Sequence, residues 1–340
     1  MQAVDEKVLA RVTECLAEGI ACWIATVVAT YGSSPRPVGS LLTCNSDGEI
    51  VGSLSGGCVE DDLLEKLTHG QLANERAQFF RYGDDEAEAE KLGLPCGGHL
   101  DIVVEALEPP MLPHFEEITQ CVQERNLCRR TVNLRDRSIM TNKVDRFEEL
   151  RYDDDNQTLT QTYGPRYQLF LIGAGMVSQY VAEIAQALDY RVVVCDPRRD
   201  ALDGFPVEDV EKICDMPDDA IRETANDQHT AIVALTHDPR IDDMGLMEAL
   251  KTNAFYVGAM GSSRTSDSRR NRLRTLDISE DELNRLHAPV GLPIGSKTPP
   301  EIALAILAEI TAIRKQQEIA EGSLEFASES LAASPGIVAG

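Results

Sequence analysis

Two cysteines in this chain stand against pairs of glycines: Cys58 follows Gly56 and Gly57 in "SLSGGCVEDDLLEKL", and Cys96 precedes Gly97 and Gly98 in "LGLPCGGHLDIVVEAL". An isolated cysteine is by default a small buried hydrophobe, and that is the reading for Cys15, Cys22, Cys44, Cys121, Cys128, Cys195 and Cys214. Glycine shifts the balance, because it lets a backbone or a ligand come close. Beyond Cys58, Leu63, Leu64 and Leu67 predict one face of a short helix, whose N-terminus offers free N–H groups and a positive dipole end. A thiol placed there ionises readily, which suits sulfur transfer or contact with a soft metal. Cys96 precedes a strand and lacks that dipole. The two cysteines lie far apart and lack the C-x-x-C spacing of a structural zinc site, so no resident metal is expected.

A second kind of chemistry is encoded in "YQLFLIGAGMVSQYVAEIAQALDYRVVVCDPR", which reads as strand, glycine turn, helix, strand and acid. Gly173, Gly175 and Ser178 make G-x-G-x-x-S, and Asp196 ends the next strand where a dinucleotide-binding fold keeps its acid. The first glycine permits the tight turn and the second admits a pyrophosphate; serine in the third place departs from the pattern. Arg198 is placed to meet a ribose phosphate or to stand as a surface cation. The competing reading is a Rossmann scaffold whose glycine turn merely packs, since fold does not dictate function.

Three more stretches carry candidate groups. Arg36, in "YGSSPRPVGS" after Ser33 and Ser34, is either a bidentate phosphate donor or a turn arginine that caps an acidic neighbour. Arg264 in "YVGAMGSSRT", with His237 and Asp238 in "THDPR", falls at expected strand ends, where an open α/β sheet lines its ligand crevice. His237 is the one candidate acid–base group.

The elements that would hold these groups divide the chain in two. Val8, Val12 and Leu16 recur at helical spacing, "ACWIATVVATYG" is β-branched and strand-like, and "NSDG" between "SLLTC" and "EIVGSL" is hairpin chemistry. Residues 111–166 offer one helix and short strands such as "RTVNL" and "TLTQTY", read as completing the first domain ahead of a linker. From residue 167 strands alternate with helices, including "AIVALT" and "AFYVGAM", the pattern of a mostly parallel sheet. Near the end Thr298, Pro299 and Glu301 form a helix start, and Ile302, Ile306, Ile310 and Ile313 its buried face. The expected fold class is α/β, with domains at 1–165 and 166–318 and a flexible tail over 319–340.

Composition bounds the partners. The 340 residues are 43% hydrophobic and carry a net charge of −25, which argues against nucleic acid, whose recognition needs a basic field. Nine cysteines without framework spacing, and no N-terminal signal pattern, point to a reducing cytoplasm. No apolar run approaches the ~18 residues of a membrane span.

Taken together, "GSSPRPVGSLL", "GSLSGGCVEDDLL", "LPCGGHLDIVVE", "LFLIGAGMVSQYVAEIA", "VVVCDPR", "THDPRID", "YVGAMGSSRT" and "HAPVGLPIGSKTPPEIALAILAEI" resemble the XdhC/CoxI family, the accessory factors of xanthine dehydrogenase and related molybdenum hydroxylases. The resemblance implies an N-terminal CoxI-like α+β domain and a C-terminal Rossmann-like domain. It implies binding of molybdenum cofactor (molybdopterin), its protection while a cysteine desulfurase adds the sulfido ligand, and delivery to the apo-hydroxylase. The family's cysteine motifs fall on Cys58 and Cys96, and its glycine loop on Gly173 and Gly175. The expected site thus comprises Cys58 and Cys96 as reactive groups, with Arg36, Gly56, Gly57, Gly97, Gly98, Gly173, Gly175, Asp196, Arg198 and Arg264 around the cofactor. A homodimer is carried as a candidate assembly. Two other readings stay open: an NAD(P)-dependent oxidoreductase using His237, and a regulatory protein that binds a nucleotide at the Rossmann loop without chemistry.

Overall fold

The first helix ends where its sequence stops supplying a buried face. α1 (Ala3–Glu18) buries Val8, Val12 and Leu16 and closes on Gly19, whose φ of 72° is left-handed. The Gly19 and Ile20 N–H groups then reach back to the carbonyls of Leu16 (3.3 Å) and Cys15 (2.8 Å), satisfying the helix end before β1 (Cys22–Thr30) begins. The computed structural model describes residues 2–31, 36–73, 77–83 and 99–332, apart from the side chains of Cys58 and of residues 318–332. Contacts divide the chain into two units, Met1–Pro165 and Arg166–Gly340.

In the first unit β1 is the centre of an antiparallel sheet with β2 (Leu41–Asn45), β3 (Ile50–Gly52), β4 (Gln78–Tyr82) and β5 (Leu100–Leu107), in the order β3-β2-β1-β5-β4. The β2–β3 hairpin turns at the Asn-Ser-Asp-Gly stretch, as its turn chemistry requires. α1 packs with α3 (Leu112–Gln123) in one apolar cluster, and α2 (Cys58–Thr68) contributes Val59, Leu63 and Leu67 to another. The strands after α3 do not extend this sheet. β6 (Leu127–Asn133), β7 (Ile139–Val144), β8 (Arg151–Asp153) and β9 (Thr158–Tyr163) form a separate four-stranded antiparallel sheet. A buried bidentate pair, Arg130 of β6 to Glu105 of β5 at 2.9 and 2.8 Å, ties the two sheets.

The second unit is an all-parallel sheet of six strands: β10 (Gln168–Ile172), β11 (Arg191–Cys195), β12 (Glu211–Ile213), β13 (Thr230–Ala234), β14 (Tyr256–Ala259) and β15 (Leu286–His287). Their order is β12-β11-β10-β13-β14-β15, so successive strands reverse direction of travel between β10 and β13, the arrangement of a dinucleotide-binding fold. Alternation in β10 builds both faces. Leu169 and Leu171 pack with α4 (Met176–Ala187), while Phe170 and Ile172 pack with α6 (Pro217–Thr224) and α7 (Pro239–Ala249). The last helix, α10, spans Pro299–Ala332 and buries Ile306 and Ile310, with Ile302 and Ile313 partly covered. Its start is held by Glu301, which accepts from the N–H groups of Lys297 and Thr298, both at 2.9 Å. The helix reaches Ala332, and the rest of the stretch expected as a flexible tail lies outside the described residues.

Candidate functional site

The "SLSGGC" loop folds around a carboxylate. Glu60, in the first turn of α2, accepts six hydrogen bonds. One oxygen takes the N–H groups of Leu54 (2.8 Å), Ser55 (2.9 Å) and Gly56 (2.9 Å) and the Ser53 hydroxyl (2.9 Å). The other takes the Gly57 N–H (3.0 Å) and the Ser55 hydroxyl (2.9 Å). Burial opposes the charge, but the N–H groups of Ser55, Gly56 and Leu54 outweigh it and hold the carboxyl at about 2. Cys58 does head the helix. The N–H groups of Gly56 and Gly57, two residues expected around the cofactor, donate to the chain's own carboxylate, which fills that nest. A sequence signal existed: a glutamate at the third helical position reaches back to the residues before the helix.

Arg36 is also committed inside the first unit. Its guanidinium donates to Gln2 Oε1 (2.6 Å), Asp5 Oδ1 (3.4 Å) and the Ser53 carbonyl (3.3 Å), the acid-capping alternative rather than an open phosphate anchor. Ser33, Ser34, Cys96, Gly97 and Gly98 lie outside the described residues. The remaining cysteines behave as core. Cys15, Cys22, Cys44, Cys121, Cys128 and Cys195 are buried and Cys214 half-buried, and burial pushes the thiols of Cys22, Cys44, Cys128 and Cys195 up to about 12.

In the second unit the candidate groups converge on the C-terminal edge of the sheet. After β10 the chain turns at Gly173, with φ 101°, and enters α4 from Gly175. A Cβ on Gly173 would stand 2.6 Å from Thr236 Cγ2, at the loop after β13. Gly173→Ala is therefore expected to lower stability by about 2–3 kcal/mol, from overpacking and a left-handed backbone together, as a denaturant midpoint would register. A Cβ on Gly175 would meet nothing within 4 Å; that space is open, and no side chain caps the N-terminus of α4. Ser178, fully buried, donates its hydroxyl to the Gly173 carbonyl at 2.6 Å. The serine that breaks the glycine pattern thus pins the turn.

Asp196, fully buried at the end of β11, accepts from the Ala174 N–H (2.9 Å) and from the Arg198 N–H (2.9 Å), Nε (2.9 Å) and Nη2 (2.7 Å). Burial works against its charge, but Arg198 and the Ala174 N–H prevail and hold the carboxyl below the usual range. It braces the glycine turn and is not poised to take ribose hydroxyls. Arg198 keeps its outer side in solvent, with 63% of its side chain exposed. Arg264, in the first turn of α8 (Ser263–Arg274), is exposed and has no ion-pair partner among the described residues. His237 is exposed, and Asp238 is spent on capping α7 and on Arg240 (2.8 Å), so this pair is not an oriented acid–base couple.

Sequence reasoning missed the network beneath this edge. Asp242 of α7 and Arg269 of α8, both buried, pair at 2.7 Å. Asp242 also takes the Thr236 hydroxyl (2.7 Å), and Arg269 donates to the Met260 carbonyl (2.9 Å). One buried pair thereby fixes the loops after β13 and β14. Beside them a cavity of about 790 Å³ opens between Met260 and Gly261, the loop at 289–296, and Ile302 of α10.

A family model described as the XdhC Rossmann domain matches residues 169–310, and another, described as the XdhC and CoxI family, matches residues 4–83. The Escherichia coli (strain K12) protein named molybdenum cofactor insertion chaperone PaoD is 28% identical over 327 residues, 90% of this chain and 87% of its own length. A Bacillus subtilis (strain 168) protein named as a probable xanthine dehydrogenase subunit is 24% identical over 316 residues, 86% and 93% respectively. The crystal structure of a xanthine dehydrogenase from Bacillus halodurans superposes with a TM-score of 0.68 at 22% identity, covering 91% of this chain and 96% of that one, and so shares its fold.

Proposed function

This chain belongs to the XdhC and CoxI family, and from that premise we propose that it binds molybdenum cofactor in the cytoplasm, holds it while a cysteine desulfurase supplies the sulfido ligand, and hands it to an apo molybdenum hydroxylase of the xanthine dehydrogenase kind. The observation that carries the reading is the relative named a molybdenum cofactor insertion chaperone, aligned over 90% of this chain.

The cargo is a pterin dithiolene with an anionic phosphate, so its carrier needs hydrogen-bond donors for the phosphate and a thiol or a shielded pocket for the metal end. The turn at Gly173 and Gly175 fits the phosphate. It leaves space where a Cβ would stand and leads into an uncapped helix, with Arg198 at the next strand end and Arg264 beyond. The nest at residues 54–57 does not fit it, being occupied by Glu60. Within the first unit, Cys58 and Cys96 are the thiols proposed to carry the transferred sulfur. The oxidoreductase reading is the weaker one: Asp196 is saturated by Ala174 and Arg198, and Asp238, the acid next to His237, is turned to Arg240.

The test uses protein purified from molybdenum-replete cells. The wild type is expected to carry pterin and molybdenum, and Cys58→Ser to carry much less while melting at the same temperature. Undiminished cofactor with unaltered thiol reactivity would remove Cys58 from the site. A protein without pterin that quenches reduced nicotinamide would put the oxidoreductase first.

A further inference from the structure

Two helices of the second unit begin without an acid. Those that start at Arg199, Pro217, Pro239, Glu280 and Pro299 each carry Asp or Glu in the first turn, as the positive end of a helix dipole favours. α4, after β10, and α8, after β14, carry none. At the start of α8 the Ser262 hydroxyl accepts from the Thr265 N–H (3.2 Å) and the Ser262 carbonyl from the Ser266 N–H (2.8 Å). Among the described residues nothing accepts from the Ser263 and Arg264 N–H groups, and the exposed Arg264 guanidinium has no ion-pair partner.

A second observation points to the same place. Ser266 is 2% exposed, and its hydroxyl has no hydrogen-bond partner. A buried donor left unpaired lowers stability. A helical side chain leans toward its own N-terminus, so this hydroxyl is aimed at the start of α8. Gly261 stands before it: a Cβ there would lie 3.7 Å from Ser266 Oγ and 3.2 Å from Thr265 Cβ. With glycine in this position, no side chain at residue 261 stands between that hydroxyl and the cavity that Gly261 lines. The unengaged groups gathered here are all donors: two N–H groups, a guanidinium and a hydroxyl. Such a set takes an anion.

We propose that the start of α8 is a second oxyanion subsite, where the Ser263 and Arg264 N–H groups, the Arg264 guanidinium and the Ser266 hydroxyl hold one end of a ligand whose other, phosphate end rests on the turn at Gly173 and Gly175. The assignment rests on the cargo reading above and deepens it, since it requires a ligand that is anionic at two separated ends. Only β13 lies between β10 and β14, so the two subsites are at least about 10 Å apart at ordinary strand spacing. A single pyrophosphate does not reach across that gap; a phosphate ester with a second oxyanion at its far end does. In molybdenum cofactor that far end is the oxo-bearing metal centre. The fold leaves Ser266 unpaired and the ligand pairs it, an exchange of stability for binding.

The experiment titrates sodium molybdate, sodium phosphate and, at matched ionic strength, sodium chloride into full-length protein from molybdate-starved cells, following heat and melting temperature. Wild type is expected to bind two equivalents of oxyanion and no chloride. Ser266→Ala and Gly175→Val should each keep one equivalent and the double variant none, while Arg264→Ala should weaken the α8 equivalent about tenfold. Ser266→Ala should also melt at or above the wild-type temperature, because it removes a buried hydroxyl that has no partner in the fold; a purely structural serine would lower melting and leave binding unchanged. In Gly175→Val, tighter molybdate assigns the α8 subsite to the metal end and tighter phosphate to a second phosphoryl group. A single equivalent in the wild type, or both equivalents at wild-type affinity in Ser266→Ala and Arg264→Ala, overturns the subsite. Cofactor content after growth with molybdenum separates this from the cargo reading. Wild type that lacks pterin yet binds two oxyanions removes the cargo and leaves the subsite, whereas Ser266→Ala with undiminished cofactor and both equivalents does the reverse.

Discussion

Glu60→Gln is expected to destabilise the protein by about 3 kcal/mol near neutral pH and to flatten its acid unfolding limb. The carboxyl titrates at about 2 in the folded chain against 4.5 for a free glutamate. A group whose folded pKa is depressed contributes stability that is present above the unfolded value and lost as pH falls through the folded one. The wild type should therefore weaken progressively from near pH 4.5 towards pH 2, and the variant should lack that component. Glutamine keeps the shape but not the chemistry. Its NH₂ would face the Gly57 N–H, donor against donor, and the three N–H groups on the other oxygen would lose a full negative charge. For the unit Met1–Pro165 melting on its own, 3 kcal/mol corresponds to roughly 6–12 °C in melting temperature. Calorimetry from pH 2 to pH 7 checks it. A variant that melts with the wild type across that range would mean that the loop does not depend on the carboxylate.

How far the sequence revealed this arrangement depended on whether the determining contacts were local. The β10–turn–α4 segment was legible because everything that shapes it lies within a few residues: Leu169 and Leu171 alternating with Phe170 and Ile172, a glycine where φ must be positive, and Val181, Ala182 and Ala185 on one helical face. The same held for the hairpin at Asn45 and for the start of α10. The four-stranded sheet was not legible as a separate layer, since β7 alternates between partly covered and exposed positions and buries nothing fully. Arg36 was ambiguous because its acid, Asp5, belongs to another element. Asp242 looked like one more acid in an acidic chain until Arg269 and Thr236 were seen to close on it.

If the chain is the proposed cofactor carrier, cells lacking it are expected to accumulate a molybdenum hydroxylase as folded but inactive enzyme. A net charge of −25 repels free anions at long range, so an anionic cofactor is best passed between docked proteins, within a Debye length of about 8 Å at physiological salt. With Arg36 engaged by Gln2, Asp5 and Ser53, the candidate cations left to act at contact range in the second unit are Arg198, half engaged by Asp196, and Arg264. Docking of an acidic carrier onto basic surfaces of its partners should weaken as salt rises, mainly through slower association. Hydroxylase purified from the deletion strain is then assayed for activity, molybdenum and cyanide-labile sulfur. Loss of both molybdenum and sulfur places the protein at insertion; molybdenum without labile sulfur places it at sulfuration. Full activity with normal sulfur would reject the chaperone reading and return the open glycine turn to the nucleotide-binding alternatives.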